Sequence, residues 1–267
     1  MTLHKQASEA MNMSDQTNIT NEPGSESIST STNSPYTLSV PDVVALEQMI
    51  AADGTPLYEL MKHAGGAIAQ AALAREPKPT KVLVLAGSGN NGGDGWVAAE
   101  LLAQQGMATT VVSPKEPAAL TTEPAHTAAL HAVETCGDGG DLAIIVTPEA
   151  SRLDELLAEA DLVIDAILGT GFAHDTLREP YAGWVDALNA ERGRRGLYVI
   201  AADVPSGLSA QTGAAAKPHV MADETITMMV LKPGLFNEEG RRACGEIHVA
   251  DICDLAPYQD YLEEHKL

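Results

Sequence analysis

The sequence predicts an α/β fold built on a mostly parallel central sheet. Five short, nearly continuous apolar runs have the length of strands, and such runs are typical of parallel strands covered on both faces. Helix-length stretches lie between most of these runs, and alternating strands and helices form right-handed βαβ units. Apolar residues make up 45% of the 267-residue chain and aromatic residues only 4%. We therefore expect a core built mainly from Ala, Val, Leu and Ile.

The predicted elements follow one another without a linker after residue 35. A first helix should start at a Ser39 cap, with Asp42 at capping-box spacing, and run to about residue 52. The second should run from Pro56 to about residue 73. Strands are expected at 81–86, 109–112, 142–146, 162–167 and 198–202, with two edge strands at 224–229 and 246–249. Further helices are predicted at 95–105, at 148–160 with Thr147 as N-cap, and at 181–192.

Composition and charge restrict the kind of protein. Residues 1–34 are polar and are expected to form a disordered tail, whereas residues 35–267 are expected to form a single domain. The formal net charge of −21 makes nucleic acid an unfavourable partner. Three cysteines without CxxC spacing do not indicate a disulfide framework or a zinc site. No signal peptide or long apolar run is evident, so we expect a cytoplasmic protein that does not enter a membrane.

A glycine-rich segment follows the first predicted strand. Gly87, Gly89 and Gly92 fit the GxGxxG pattern, in which glycines let the backbone approach a pyrophosphate at a helix N-terminus. A tight strand-to-helix turn explains the same glycines without a ligand. A dinucleotide-dependent dehydrogenase would also carry an acidic residue at the end of the second strand, about 20 residues on. The sequence there is Val-Val-Ser-Pro, which argues against hydride transfer.

Two later strands also end in polar residues. Asp165 lies within an apolar run, and Asp203 ends the next strand and is followed by Ser206. A buried carboxylate is unfavourable unless it is paired, protonated or bound to a metal, although backbone N–H groups also satisfy one. Because the carboxyl ends of parallel strands share one edge of a sheet, we expect these side chains to share one site.

Asn91, Asp165 and Ser206 would bring an amide oxygen, a carboxylate and a hydroxyl to that site. Such hard oxygen donors suit an alkali or alkaline-earth cation better than zinc or copper. One carboxylate among neutral oxygens favours a monovalent ion such as K⁺.

Four segments in this order resemble the YjeF N-terminal, or NAD(P)HX epimerase, family. They are GSGNNGGDG (87–95), DAILGTGF (165–172), REP (178–180) and DVPSG (203–207). Weaker matches include LMKHAG near Met61 and LKPGL near Lys232, so that the resemblance covers about residues 36–255. It implies a three-layer Rossmann-like fold and a homodimer. It also implies an isomerase that interconverts the R and S epimers of hydrated NADH and NADPH (NADHX and NADPHX). A separate S-specific dehydratase would then restore the cofactor.

The resemblance also assigns roles to residues. It implies K⁺ ligands at Asn91, Asp165 and Ser206, and it makes Asp165 the expected catalytic residue. The implied substrate contacts are Asn90, Asn91, Gly92, Gly93, Asp94, Gly169, Thr170, Gly171, Phe172, Ala173, His174, Asp175 and Asp203. Of these, His174 stands in a stretch that varies among relatives, and a lone loop histidine is more often simply solvated.

A mechanism follows as a hypothesis. Inverting a carbon that carries a hydroxyl and a ring nitrogen requires one bond to break and re-form, and Asp165 would move the proton each time. Burial would raise the pKa of Asp165 and a nearby cation would lower it, and the sequence does not decide between them. Ring opening and loss of hydroxide both remain open. The alternatives are a non-catalytic nucleotide-binding or scaffold protein of the same fold and, less well supported, a dehydrogenase.

Overall fold

The computed structural model describes residues 30–31, 36–137 and 139–267. Its strands are β1 (Thr30–Ser31), β2 (Lys81–Ala86), β3 (Ala108–Ser113), β4 (Leu142–Val146), β5 (Leu162–Ala166), β6 (Tyr198–Ala202), β7 (Glu224–Met228) and β8 (Glu246–Ala250). Its α-helices are α1 (Val40–Ala52), α2 (Leu57–Leu73), α3 (Asn90–Gln104), α4 (Ala125–Cys136), α5 (Ala150–Glu159), α6 (Tyr181–Arg195), α7 (Glu238–Cys244) and α8 (Gln259–His265).

The strands form one sheet in the order β1-β8-β7-β6-β5-β2-β3-β4. β2 to β8 are all parallel, and β1 alone pairs antiparallel, with β8. The predicted mostly parallel sheet is therefore confirmed, and the runs at 224–229 and 246–249 do extend its edge.

Helices cover both faces of the sheet, which confirms the three-layer arrangement. Along β2, side chains alternate between the faces, as the pleat of a strand requires. Val82 and Val84 pack in one core with α1 to α4, whereas Leu83 and Leu85 pack in a second core with α5 and α6. Small and branched aliphatic side chains fill both cores, as the composition predicts.

The direction of winding changes between β2 and β5. From β2 the chain proceeds to β3 and β4, and it then returns to place β5 on the other side of β2. The helix that follows β2 and the loop that follows β5 therefore diverge to opposite faces. In open α/β sheets this divergence leaves a crevice at the carboxyl ends of the two strands, where ligands bind.

Local predictions differ from the structure in several places. α3 starts at Asn90 rather than at residue 95, so the glycine-rich segment is the first turn of the helix. Thr147 is not an N-cap, because its φ is +42° and α5 begins only at Ala150. α4 was not predicted; its sequence is rich in small residues, and the structure buries Ala128 and its neighbours against α3. By contrast, Ser39 caps α1 as expected.

The predicted disordered tail falls almost entirely outside the described residues. Within it, only Thr30–Ser31 are described, and they form the short strand β1; for the other residues the tail stays a prediction.

The tight packing of α3 on the sheet gives a stability prediction. A Cβ atom at Gly95 would lie 2.6 Å from Ala166 Cβ and 3.2 Å from Val84 Cγ1. Gly95→Ala should therefore lower the free energy of unfolding by about 1–3 kcal/mol, because the helix would have to move off the strands. Urea denaturation followed by circular dichroism measures this change.

Gly193→Ala is the matched control, because Gly193 lies in α6 and a Cβ there would meet nothing within 4 Å. It should leave stability unchanged or raise it by up to about 1 kcal/mol, since alanine favours helix. Equal effects of the two substitutions would contradict the packing described here.

Candidate functional site at the carboxyl edge of the sheet

A cavity of about 640 Å³ opens at the crevice between β2 and β5. That volume is in the range of small-molecule sites. The first turn of α3 and the loops after β5 and β6 supply its polar wall, and α1 and α2 cover it with apolar side chains. Its lining includes Val43, Val44, Glu47, Leu57, Leu60, Met61, Ser88, Gly89, Asn90, Asn91, Asp94, Ile167, Leu168, Gly169, Thr170, Gly171, Phe172, His174, Tyr181, Asp203, Met228 and Lys232.

Two glycines let the ends of β2 and β5 come together. Gly87 N donates to Ala166 O at 2.9 Å, and a Cβ at Gly87 would lie only 1.9 Å from Ile167 O. A Cβ at Gly92 would lie 2.1 Å from Gly87 O. With any side chain at position 92, the helix could therefore not start so close to the strand. As a result, the first N–H groups of α3, which have no partner within the helix, open toward the cavity at a site suited to anions.

Asp165 and Ser206 form a buried pair behind the cavity wall. Ser206 Oγ donates to Asp165 Oδ1 at 2.6 Å, and Ser206 N donates to Oδ2 at 2.7 Å. Ile167 N lies 3.3 Å from Oδ1, and Leu168 N donates to Ser206 Oγ at 2.9 Å. Burial raises the pKa of Asp165 to about 6, against the lowering effect of these hydrogen bonds. The pair therefore holds the loop that follows β5, and neither side chain lines the cavity.

Asn91 lies next to the same loop, on the cavity side. Its Oδ1 is 3.1 Å from the position that a Cβ would take at Gly169. Both polar atoms of its amide are buried and have no hydrogen-bond partner in the described structure. A buried amide without partners is costly, which indicates that a ligand completes this site.

Asp203 and Lys232 form a second buried pair, and both line the cavity. Lys232 Nζ lies 2.7 Å from Asp203 Oδ1, and only 1% of the lysine side chain is exposed. Asp203 has φ of +64°, a conformation that costs an aspartate about 1–3 kcal/mol and that surrounding structure must enforce. Such conformations are concentrated at functional sites.

Two more carboxyl groups face this pair. Asp94 projects from the first turns of α3 and Glu47 from α1, and both are partly buried. Burial, together with the negative charge of Asp203, raises the pKa of Glu47 to about 6 and that of Asp94 well above its ordinary range. Both groups therefore hold a proton more readily than an ordinary carboxyl group does.

The structure brings most of the predicted substrate contacts together. Asn90, Asn91, Asp94, Asp203 and the residues of 169–174 other than Ala173 line the cavity. Gly92 and Gly93 are packed beneath it, against Gly87 and Met61. Ala173 and Asp175 are exposed and do not line the cavity.

Sequence reasoning missed Glu47 and Lys232 as site residues. A signal existed for each. Glu47 follows the buried residues Val43 and Leu46 of α1, so it lies near the apolar side of that helix. Lys232 follows β7 in an apolar stretch of the sequence, where a buried lysine without a partner would be unfavourable.

Comparisons with known proteins show which family the chain resembles. The family model for the YjeF-related protein N-terminus matches residues 57–234. A bifunctional NAD(P)H-hydrate repair enzyme of Escherichia coli is 36% identical over 80% of this chain, which spans only 39% of that enzyme's length. An NAD(P)H-hydrate epimerase of Limosilactobacillus fermentum is 35% identical over 77% of this chain and 89% of its own.

A solved structure shares the fold. The crystal structure of the yeast protein ynu0 matches with a TM-score of 0.63 and 25% identity, over 77% of this chain and 85% of that one. The matched family range contains the glycine-rich turn, the loop after β5 and the Asp203–Lys232 pair. From the ordered motifs, the shared fold and these relatives, the chain belongs to the YjeF N-terminal family.

Proposed function

We propose that this protein is an NAD(P)H-hydrate epimerase, an isomerase that interconverts the R and S epimers of hydrated NADH and NADPH. The observation that carries the proposal is the cavity between β2 and β5, where the N-terminus of α3 meets Asp94, Asp203 and Lys232. An epimerase relative that this chain covers over 89% of its length supports the same reaction.

The cavity suits the two parts of the substrate. The free N–H groups at residues 90–92 would bind the pyrophosphate, because the three residues there carry either no side chain or a short amide. Leu60 and Met61 give an apolar wall against which a nicotinamide ring would pack, with the carboxyl groups beyond it. Strong negative charge elsewhere on the chain does not prevent binding, since the backbone amides make this end locally positive.

We also propose that the enzyme uses K⁺ as a cofactor. The orphaned Asn91 amide and the Asp165–Ser206 pair lie on two sides of the loop 167–169, and all offer hard oxygen donors. The described residues contain no group of three or more His, Cys, Asp or Glu side chains that could hold a metal ion, so the proposed donors are mainly neutral oxygens. A monovalent ion fits this donor set. When bound, it would supply positive charge that offsets the Asp165 carboxylate.

Asp165 keeps two proposed roles, as a K⁺ ligand and as the residue that moves the proton. Asp165 does not line the cavity, so its position supports the first role more directly than the second. A role in proton transfer would require the loop after β5 to open.

The wider setting stays predicted. We expect a homodimer, and we expect a separate S-specific dehydratase to consume the S epimer that this reaction supplies. No helix of the described part of the chain is long and apolar enough to cross a membrane. The expected location remains the cytoplasm.

The reaction itself is the first test. The chain is mixed with the R epimer of hydrated NADH and an S-specific dehydratase, and the recovery of NADH absorbance is followed. Recovery should be faster than spontaneous epimerisation allows, because the cavity groups move protons that water moves slowly. Recovery at the spontaneous rate would instead favour a scaffold or binding protein.

Potassium dependence is the second test. Replacing K⁺ by tetramethylammonium should lower kcat/KM by about tenfold or more, a loss typical of disturbed metal-site shells. Asn91→Leu should cause a similar loss and should remove the dependence on K⁺, since the amide donor is gone. Asp165→Asn should remain folded and lose epimerisation.

Asn189→Leu is a suitable control, because Asn189 is a partly buried amide that hydrogen-bonds His219 O and Met221 N away from the cavity. Its activity should still depend on K⁺. A fully active Asp165→Asn, with unchanged salt dependence, would remove Asp165 from both roles.

A further inference from the structure

We propose that Lys232 is a positioning residue that holds Asp203 as the proton acceptor of the cavity, opposite Asp94 as the proton donor. This inference rests on the proposed epimerase reaction and deepens it, because it assigns the proton transfers to groups that line the cavity.

The ammonium group of Lys232 is fixed on all sides. It donates to Asp203 Oδ1 at 2.7 Å, to Met228 O at 2.8 Å and to Thr227 Oγ1 at 2.9 Å. An ammonium group has three protons, so its donors are fully used. Burying an ammonium group is costly without a partner of opposite charge, and here that partner is Asp203.

The same contacts orient Asp203. Its Oδ1 accepts hydrogen bonds from Lys232 Nζ, from Thr227 Oγ1 at 3.1 Å and from Met228 N at 3.4 Å. In the described structure no hydrogen bond is formed by Oδ2. One carboxylate oxygen is therefore clamped while the other is left for a ligand, and the left-handed backbone at Asp203 directs the side chain into the cavity.

Proton donors face this carboxylate from two other elements. Asp94 comes from α3 and Glu47 from α1, and neither forms a hydrogen bond or ion pair with another described side chain. Burial is the main cause that raises the pKa of each group, and the negative charge of Asp203 raises it further. The positive charge of Lys232 lowers both pKa values. Cys253, which lies near Glu47, has a pKa raised by burial to about 11 and stays neutral. Carboxyl groups held in such different environments within one site are the usual arrangement of an acid and a base.

In the proposed cycle, one proton leaves Asp94 and one proton arrives at Asp203. Asp94 gives its proton to the hydroxyl oxygen of the substrate, the C–O bond breaks, and its electron pair leaves with water. The lone pair of the ring nitrogen forms a C=N⁺ bond. Water then adds to the opposite face, the C=N⁺ electrons return to nitrogen, and the released proton passes to Asp203. Transfer of this proton from Asp203 to Asp94 through solvent resets the site, with no oxidant or reductant required.

The test compares three variants in the coupled assay between about pH 5 and 9. Lys232→Met removes the cation, Lys232→Arg keeps it, and Thr227→Val removes one hydroxyl that bridges Lys232 and Asp203. Loss of one member of a buried ion pair can unfold a protein, as Lys232→Met could do. Thr227→Val is included because it keeps both members of the pair. Arg192→Met is the control, because Arg192 pairs with Asp223 away from the cavity at 2.5 Å.

Lys232→Met should lower kcat by roughly 10²-fold or more, the scale of general acid–base catalysis, and should change KM much less. The acid limb of kcat/KM against pH should move upward by about one unit or more, since carboxylates without the neighbouring cation take up protons at higher pH. Thr227→Val should move the limb in the same direction by less. Lys232→Arg should regain part of kcat, and Arg192→Met should leave the profile unmoved.

A carboxyl NMR titration of Glu47 gives a readout that does not need turnover. Burial raises the pKa of Glu47 to about 6, and this pKa should rise further in Lys232→Met because the cation no longer favours ionised Glu47. A wild type that epimerises normally, with an unmoved acid limb in Lys232→Met and Thr227→Val, would overturn this assignment and favour Asp165, which Lys232 does not contact. A wild type without activity would overturn the proposed function, and an unmoved Glu47 midpoint would then reject the electrostatic role of Lys232.

Discussion

The close approach of the backbone at the ends of β2 and β5 is the constraint on which the rest of the site depends. Gly87 touches the carbonyl of Ile167, and Gly92 touches the carbonyl of Gly87, at distances that no side chain permits. This approach starts α3 directly at the strand end and lets its free N–H groups open into the crevice. The cavity, the anion site and the position of Asn91 all follow from it.

The second theme of the structure is how buried charge is compensated. Asp165 is surrounded by hydrogen-bond donors from Ser206 and the loop after β5, so it stabilises that loop from behind. Asp203 is compensated by a buried lysine on one oxygen only. The two aspartates therefore have different chemistry, although both stand at the ends of neighbouring strands. The first organises the wall of the cavity, and the second remains available to a ligand.

Much of this could be predicted from the sequence, for identifiable reasons. The strands were found because covered parallel strands have continuous apolar runs, and the polar strand ends were found because a carboxylate in such a run is conspicuous. The start of α3 at Asn90 was missed, because glycines discourage helix unless tertiary packing requires them. The contact between Lys232 and Asp203 joins residues 29 positions apart and depends on the register of β6 and β7, which local pattern does not encode. The burial of Asp165 behind Leu168, rather than in the cavity, depends on loop conformation in the same way.

A crystal structure of the chain with a bound hydrated dinucleotide would test the proposed site most directly. We expect the pyrophosphate within hydrogen-bond distance of the N–H groups of residues 90–92. We also expect the hydroxyl-bearing ring carbon between Asp94 and Asp203. A dinucleotide bound outside the crevice between β2 and β5, or one whose ring lies away from both carboxyl groups, would contradict it.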